Sequence, residues 1–273
     1  MPRGVREGVA PPAPEPLAVP VLDSHCHLDI VGGDVGAQLD MARAVGVDTV
    51  VQIGIDVASS QLSARIAGEH ANLWAAVALH PNEAGRGAAT PDALAEIERL
   101  AGLPQVKAIG ETGLDHFRTD EDGRGPQEES FRAHIAIAKN SGTTLVIHDR
   151  DAHDHVFRVL DEEGAPDRVV FHCFSGDAAM ARRCADHGYW MSFAGNVTFK
   201  NAADLREAAA VAPAELLLVE TDAPFLTPMP YRGRPNASYL IPLTMRALAD
   251  LRGDDLDALC GAVAQNGRTA FGL

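Results

Sequence analysis

The chain has 273 residues, 46% of them apolar, and a formal charge of −15. That length buries a large core, whereas the excess of acid excludes a protein that coats nucleic acid through a broad basic surface. No run approaches the roughly 20 uninterrupted apolar residues of a membrane helix, which excludes an integral helical membrane protein.

The opening stretch, MPRGVREGVAPPAPEPLAVP over residues 1–20, has no apolar signal-peptide core. Its prolines predict a disordered or extended lead-in to one domain spanning residues 21–273. Cys26, Cys173, Cys184 and Cys260 form no C-x-x-C pair, so a reducing, cytoplasmic setting is expected rather than a zinc ribbon or disulfide scaffold.

From residue 20 onward, short β-branched runs alternate with amphipathic segments. Strands are expected near 20–24, 48–54, 73–79, 106–111, 144–149, 168–173, 189–194 and 216–221. Helical patterns lie between them, including GAQLDMARAVG, QEESFRAHIAIAKNSG and TPDALAEIERLAG, the last with Thr90 as N-cap and Pro91 in its first turn. Eight strand-helix units without a linker predict an α/β fold of the (β/α)8 TIM-barrel type. A doubly wound open sheet would also alternate, but the first strand ends in HCHLD and no G-x-G-x-x-G follows, IVGGDVG being read as a loop.

The first strand carries His25 and His27 in VLDSHCHLDI. A strand period of two sends both imidazoles to one face and Cys26 to the other. The same spacing recurs at His153 and His155, but HVFRVL reads as helix, where residues two apart diverge by about 200°. That second pair is expected on the solvated surface.

Position along the strands separates the two cases. His25 and His27 close the first predicted strand, Glu111 the fourth, His148 the fifth and His172 the sixth, while Asp222 follows the eighth. All six belong to the carboxyl ends of strands, where barrel enzymes place their chemistry. Capping is the competing explanation for Asp222 in ETDAPF; it serves Glu111 in GETGLD poorly, because glycines rather than a helix follow. Imidazole and carboxylate without thiolate point to a catalytic rather than structural site for hard or borderline ions such as Mg²⁺, Mn²⁺ or Zn²⁺. Six donors exceed one open tetrahedral site and suit two divalent ions, whose chemistry is hydrolysis by activated water.

SHCHLD, GETGLDHFR, VIHDRDA, FHCFSG, GNVTFKNA, ETDAPFL and YRGRPN, in that order, resemble the TatD family of metal-dependent hydrolases. The resemblance implies a (β/α)8 barrel and a deoxyribonuclease acting mainly as a 3′-to-5′ exonuclease on DNA ends, single strands preferred. It assigns His25, His27 and Asp222 to one ion, His148 and His172 to the other, and Glu111 to a bridge. Glu111 and Asp222 are then the catalytic carboxylates, Asp222 also handling protons. It implies substrate contacts for Arg232, with Arg150, Lys200 and His80 as further candidates. Two departures bear on loop shape and substrate choice: Ala237 replaces an expected acid after the basic loop, and Ala78 and Leu79 precede HP where a glycine is expected. A D-aminoacyl-tRNA deacylase or another metal-dependent ester or amide hydrolase is the alternative. An amidohydrolase bridged by a modified lysine is disfavoured, because Lys107 lies four residues below Glu111, about 13 Å down a strand.

Overall fold

The computed structural model describes residues 8–273, so the part of the expected lead-in over residues 1–7 lies outside the described residues. Eight strands alternate with helices: β1 Val21–Cys26, β2 Val47–Ile53, β3 Leu73–Val77, β4 Val106–Asp115, β5 Thr144–Arg150, β6 Val169–Phe171, β7 Trp190–Phe193 and β8 Leu217–Val219. They form one sheet in sequence order, and β1 meets β8 through a parallel bridge between Cys26 and Ala223. This is the (β/α)8 barrel. β1 is buried at every position, as expected of a parallel strand covered on both faces. Among the described residues, no helix is long and apolar enough to cross a membrane.

The chain divides into two compact units. The first comprises the residues up to Val51 with Gly176–Thr269, and the second comprises Gln52–Ser175 with Ala270–Leu273.

In the first unit, residues 9–17 have no regular secondary structure and are fastened by side chains from far along the chain. Arg234 donates to the carbonyls of Val9 and Ala10, the Tyr239 hydroxyl to Pro11, and Arg246 to Pro16. Leu17 is buried and bonds through its N–H to Val45. Buried Asp23 ties β1 to the chain after β8: Oδ1 accepts from Thr221 N–H at 2.9 Å and Oδ2 from its hydroxyl at 2.6 Å. Burial lifts the Asp23 carboxyl to about 6 against these hydrogen bonds.

In the second unit, the helix Pro91–Ala101 begins as its sequence dictates, with the Thr90 hydroxyl accepting from Ala93 N–H. The helix Glu121–Ser141 is longer than the pattern suggested and ends at Gly142 in the left-handed conformation. Ile30 and Val31, at the start of the segment IVGGDVG expected as a loop, belong to the short helical turn Leu28–Val31 of the first unit. β4 also exceeds its prediction. It runs on to Asp115, so Glu111 lies within the strand rather than closing it. The pairing of β4 with β5 slips between Ile109 and Thr112, an irregularity of the kind that re-aims a side chain.

Glycines on either side of Glu111 make this possible. A Cβ on Gly110 would collide with Val146, and one on Gly113 with the carbonyl of His148. Gly113 also has φ +133°, which side-chain-bearing residues rarely adopt.

Candidate metal centre

The first unit assembles one set of donors. His25 in β1 and His27 just beyond its end have Nε2 atoms 3.3 Å apart, and Asp222 Oδ1 lies 3.8 and 3.7 Å from them. Two ligands about 2.0–2.1 Å from a tetrahedral ion stand about 3.4 Å apart, so this donor set fits a divalent cation. Both imidazoles are buried, while the Asp222 side chain keeps 15% exposure and remains open to water.

Asp222 does not cap a helix. The segment after it is a turn in which Phe225 N–H donates to its carbonyl, and its φ of 50° is unusual for a residue with a side chain. Its N–H bonds to the His25 carbonyl at 2.9 Å, which holds this strained backbone beside β1. The Asn236 amide secures the loop from the other side by donating to the carbonyls of Thr221 and Phe225. Ala237, the departure from the expected acid, bonds through its N–H to the Asn236 side chain, so the Asn236 anchor persists without that acid.

The second unit assembles another set. Glu111 Oε2 lies 2.9 Å from His172 Nε2, 3.0 Å from His148 Nδ1 and 3.5 Å from His80 Nε2. The facing nitrogens of His172 and His148 are 3.4 Å apart. Burial alone would raise the Glu111 carboxyl, but the three imidazoles hold it well below the usual carboxylate range. These spacings also suit a divalent ion.

Asp115 is a residue the sequence reading missed. Its Oδ2 lies 3.3 Å from His148 Nε2, the nitrogen turned away from Glu111. Its Oδ1 accepts from the N–H groups of Phe117 and Arg118, and Asn82 donates to Oδ2. The backbone N–H of Asp115 is held in turn by Gln127. A carboxylate behind a ligating imidazole fixes its tautomer and ring orientation. Despite burial, the contact with His148 and the backbone donors hold the Asp115 carboxyl below its ordinary value. The same contact and Glu111 raise His148 against the lowering effect of its burial.

His80, a candidate substrate contact from the sequence, makes two contacts in the fold. Its Nδ1 accepts from Asn82 N–H at the start of the short helix Pro81–Ala84, and its Nε2 faces Glu111. Burial pushes its pKa down to about 3 although Glu111 opposes the shift.

The remaining candidates are surface groups. Arg232 is exposed with its guanidinium 4.2 Å over the Phe199 ring, Arg150 sits 4.1 Å over Phe117, and Lys200 is exposed. The helical histidines are engaged away from the donor sets: His153 pairs with Asp149 at 2.8 Å and His155 with Glu128 at 2.6 Å. Lys107 lies 4.7 Å over the Trp74 ring, occupied with packing rather than with Glu111.

A parallel eight-stranded barrel with histidine-carboxylate donor sets at the carboxyl ends of its strands defines the class of metal-dependent barrel hydrolases. Comparison with known proteins gives the family. Residues 22–272 match the family model described as TatD related DNase, and the chain belongs to the TatD family. It is 45% identical over 261 residues to an uncharacterized metal-dependent hydrolase TatD of Mycobacterium tuberculosis, covering 93% of this chain and 98% of that protein. It is 35% identical over 243 residues to the 3′-5′ ssDNA/RNA exonuclease TatD of Klebsiella pneumoniae, covering 85% and 89% respectively. The crystal structure of YJJV, a TatD homologue from Escherichia coli K12, superposes with a TM-score of 0.87 at 28% identity, covering 93% of this chain and 98% of that one.

Proposed function

We propose that this hydrolase cleaves phosphodiester bonds, releasing nucleotides from the 3′ end of single-stranded DNA or RNA. One divalent cation would be held by His25, His27 and Asp222 and a second by Glu111, His148 and His172. The observation that carries the reading is the pair of donor sets, each mixing imidazole with carboxylate at ion-binding spacing. The relative named as a 3′-5′ ssDNA/RNA exonuclease supports the substrate class.

Bound divalent cations supply Lewis acidity and lower the pKa of coordinated water towards neutrality. The protein's own part begins with Asp222, whose partly exposed carboxylate accepts a proton from the attacking water. Asp115 keeps His148 in one orientation, so its Nδ1 stays directed at the Glu111 side. Arg232, Arg150 and Lys200 supply positive charge for the phosphates of an entering strand, offsetting locally a chain whose net charge is −15. No disulfide joins the four cysteines, which fits a reducing, cytoplasmic compartment.

Metal-stripped protein refilled separately with Mg²⁺, Mn²⁺ or Zn²⁺ and given single-stranded DNA, single-stranded RNA and aminoacyl-tRNA tests the proposal. Nucleotide release that depends on the added ion is expected. Release of amino acid from charged tRNA without nucleotide release would replace this reading with the deacylase.

A further inference from the structure

We infer that Phe117, backed by Arg150, is a stacking platform for one base of a nucleic acid strand held at the second donor set. The inference rests on the nuclease reading above and adds a specificity contact to it. Phe117 is 62% exposed. A single exposed apolar side chain is ordinary; the way this one is held is not.

Phe117 follows β4 by two residues, and its N–H donates to Asp115 Oδ1 at 3.1 Å. The neighbouring N–H of Arg118 donates to the same oxygen at 2.8 Å, and His116 N–H donates to the Arg150 carbonyl at 2.9 Å. The loop carrying the ring is thus fixed by the carboxylate that contacts His148. An aromatic ring 62% exposed on a loop held by these three backbone hydrogen bonds is preorganised for a flat ligand.

Arg150 defines the geometry further. It lies two residues beyond His148 on β5, and its guanidinium carbon is 4.1 Å from the Phe117 ring centroid. The cation covers one face of the ring and leaves the rest of it exposed. A nucleobase stacking on the ring continues the stack, with the guanidinium's charge beside the strand's backbone. Such stacking tolerates any base, because every base has a π-face. It therefore orders a strand without reading its sequence, as an end-acting enzyme requires.

The test uses full-length Phe117→Ala and Phe117→Trp with a short single-stranded oligodeoxynucleotide, and with versions carrying one abasic residue at each position from the 3′ end. Phe117→Ala is expected to raise KM by about 5- to 100-fold, the worth of one stacked base, with kcat changed much less. One abasic position should raise the wild-type KM comparably and add nothing to the alanine variant. Metal-free Phe117→Trp should show saturable quenching by the intact strand beyond that of wild type, relieved by the abasic residue at that same position. A KM for Phe117→Ala within twofold of wild type, a loss confined to kcat, or equal losses on intact and abasic strands would overturn the inference. If wild type degrades no strand with any of the three ions, the nuclease reading fails. The platform is then judged by the tryptophan signal alone, where quenching supports it and its absence refutes it.

Discussion

Asp115 Oδ2 stands 3.3 Å from His148 Nε2, while the other nitrogen of the same ring stands 3.0 Å from Glu111. One imidazole is gripped between a buried carboxylate behind it and a carboxylate of the donor set in front. Asp115→Asn leaves the backbone donors of Phe117 and Arg118 an oxygen to bind but weakens the hold on His148. Metal affinity of the second set should fall by about 10- to 100-fold. Titration calorimetry with Mn²⁺, alongside a melting curve showing a folded protein, checks this.

Asp222→Asn is nearly isosteric and keeps the backbone bonds to His25 and Phe225, so folding survives. The amide cannot accept the proton of the attacking water and binds a cation less well. Turnover should fall by about 10²- to 10⁴-fold, the range of a lost general base. Thermal melting, bound metal and nuclease rate measured on the same preparation decide it, and near-normal turnover would remove Asp222 from the chemistry.

His134 gives the fold a pH dependence separate from the donor sets. Its Nε2 accepts from Leu79 N–H at 3.1 Å while Nδ1 lies 2.7 Å from the Ser130 carbonyl, so the buried ring is held neutral. Burial lowers its pKa from 6.5 to about 4. Below about pH 6.5 the unfolded chain takes up a proton that the fold refuses, so stability falls as pH drops towards 4. This group's share of the loss is about 3 kcal/mol. Denaturant midpoints between pH 7 and 4 should decline less steeply for His134→Gln, whose amide reproduces one donor and one acceptor.

The charge balance sets the salt response. With a net charge of −15, the proposed nuclease is expected to contact few phosphates at once. Each contact on a single strand contributes a slope of about −0.7 in log affinity against log salt. The observed slope should be shallower than about −4, a value that would require roughly six contacts. Fluorescence anisotropy with a labelled strand across a salt series measures it.

Strand-end chemistry made much of the centre legible. His25, His27, His148, His172 and Asp222 all lie within three residues of the carboxyl end of a strand, where polar side chains interrupt an otherwise buried β-branched pattern. Glu111 was found for a partly mistaken reason. GETG looked like a strand end, whereas its glycines allow close approach to β5 and permit a slip in register that a linear pattern does not display. The misplaced end of β4 also hid Asp115, which sits four residues further along the same strand. Asp23 was unreadable for another reason: its partner Thr221 lies 198 residues away, and only closure of β1 on β8 brings them together. His80 enters from the resemblance as a substrate contact; that its ring caps Pro81–Ala84 and turns Nε2 towards Glu111 depends on where β3, β4 and this helix meet, which no local pattern displays.

The interleaving of the two units fixes an order of manufacture. Every donor of the second set, His80 to His172, lies within the continuous stretch Gln52–Ser175, whereas the first set needs His25 from the beginning and Asp222 from near the end. On a ribosome adding roughly 5–20 residues per second, the second set is complete in sequence several seconds before the first. A product released around residue 175 would carry Glu111, His148 and His172 but not the carboxylate assigned to proton transfer. On the proposed assignment, hydrolysis would therefore wait on the synthesis of Asp222, about fifty residues after His172 completes the second set.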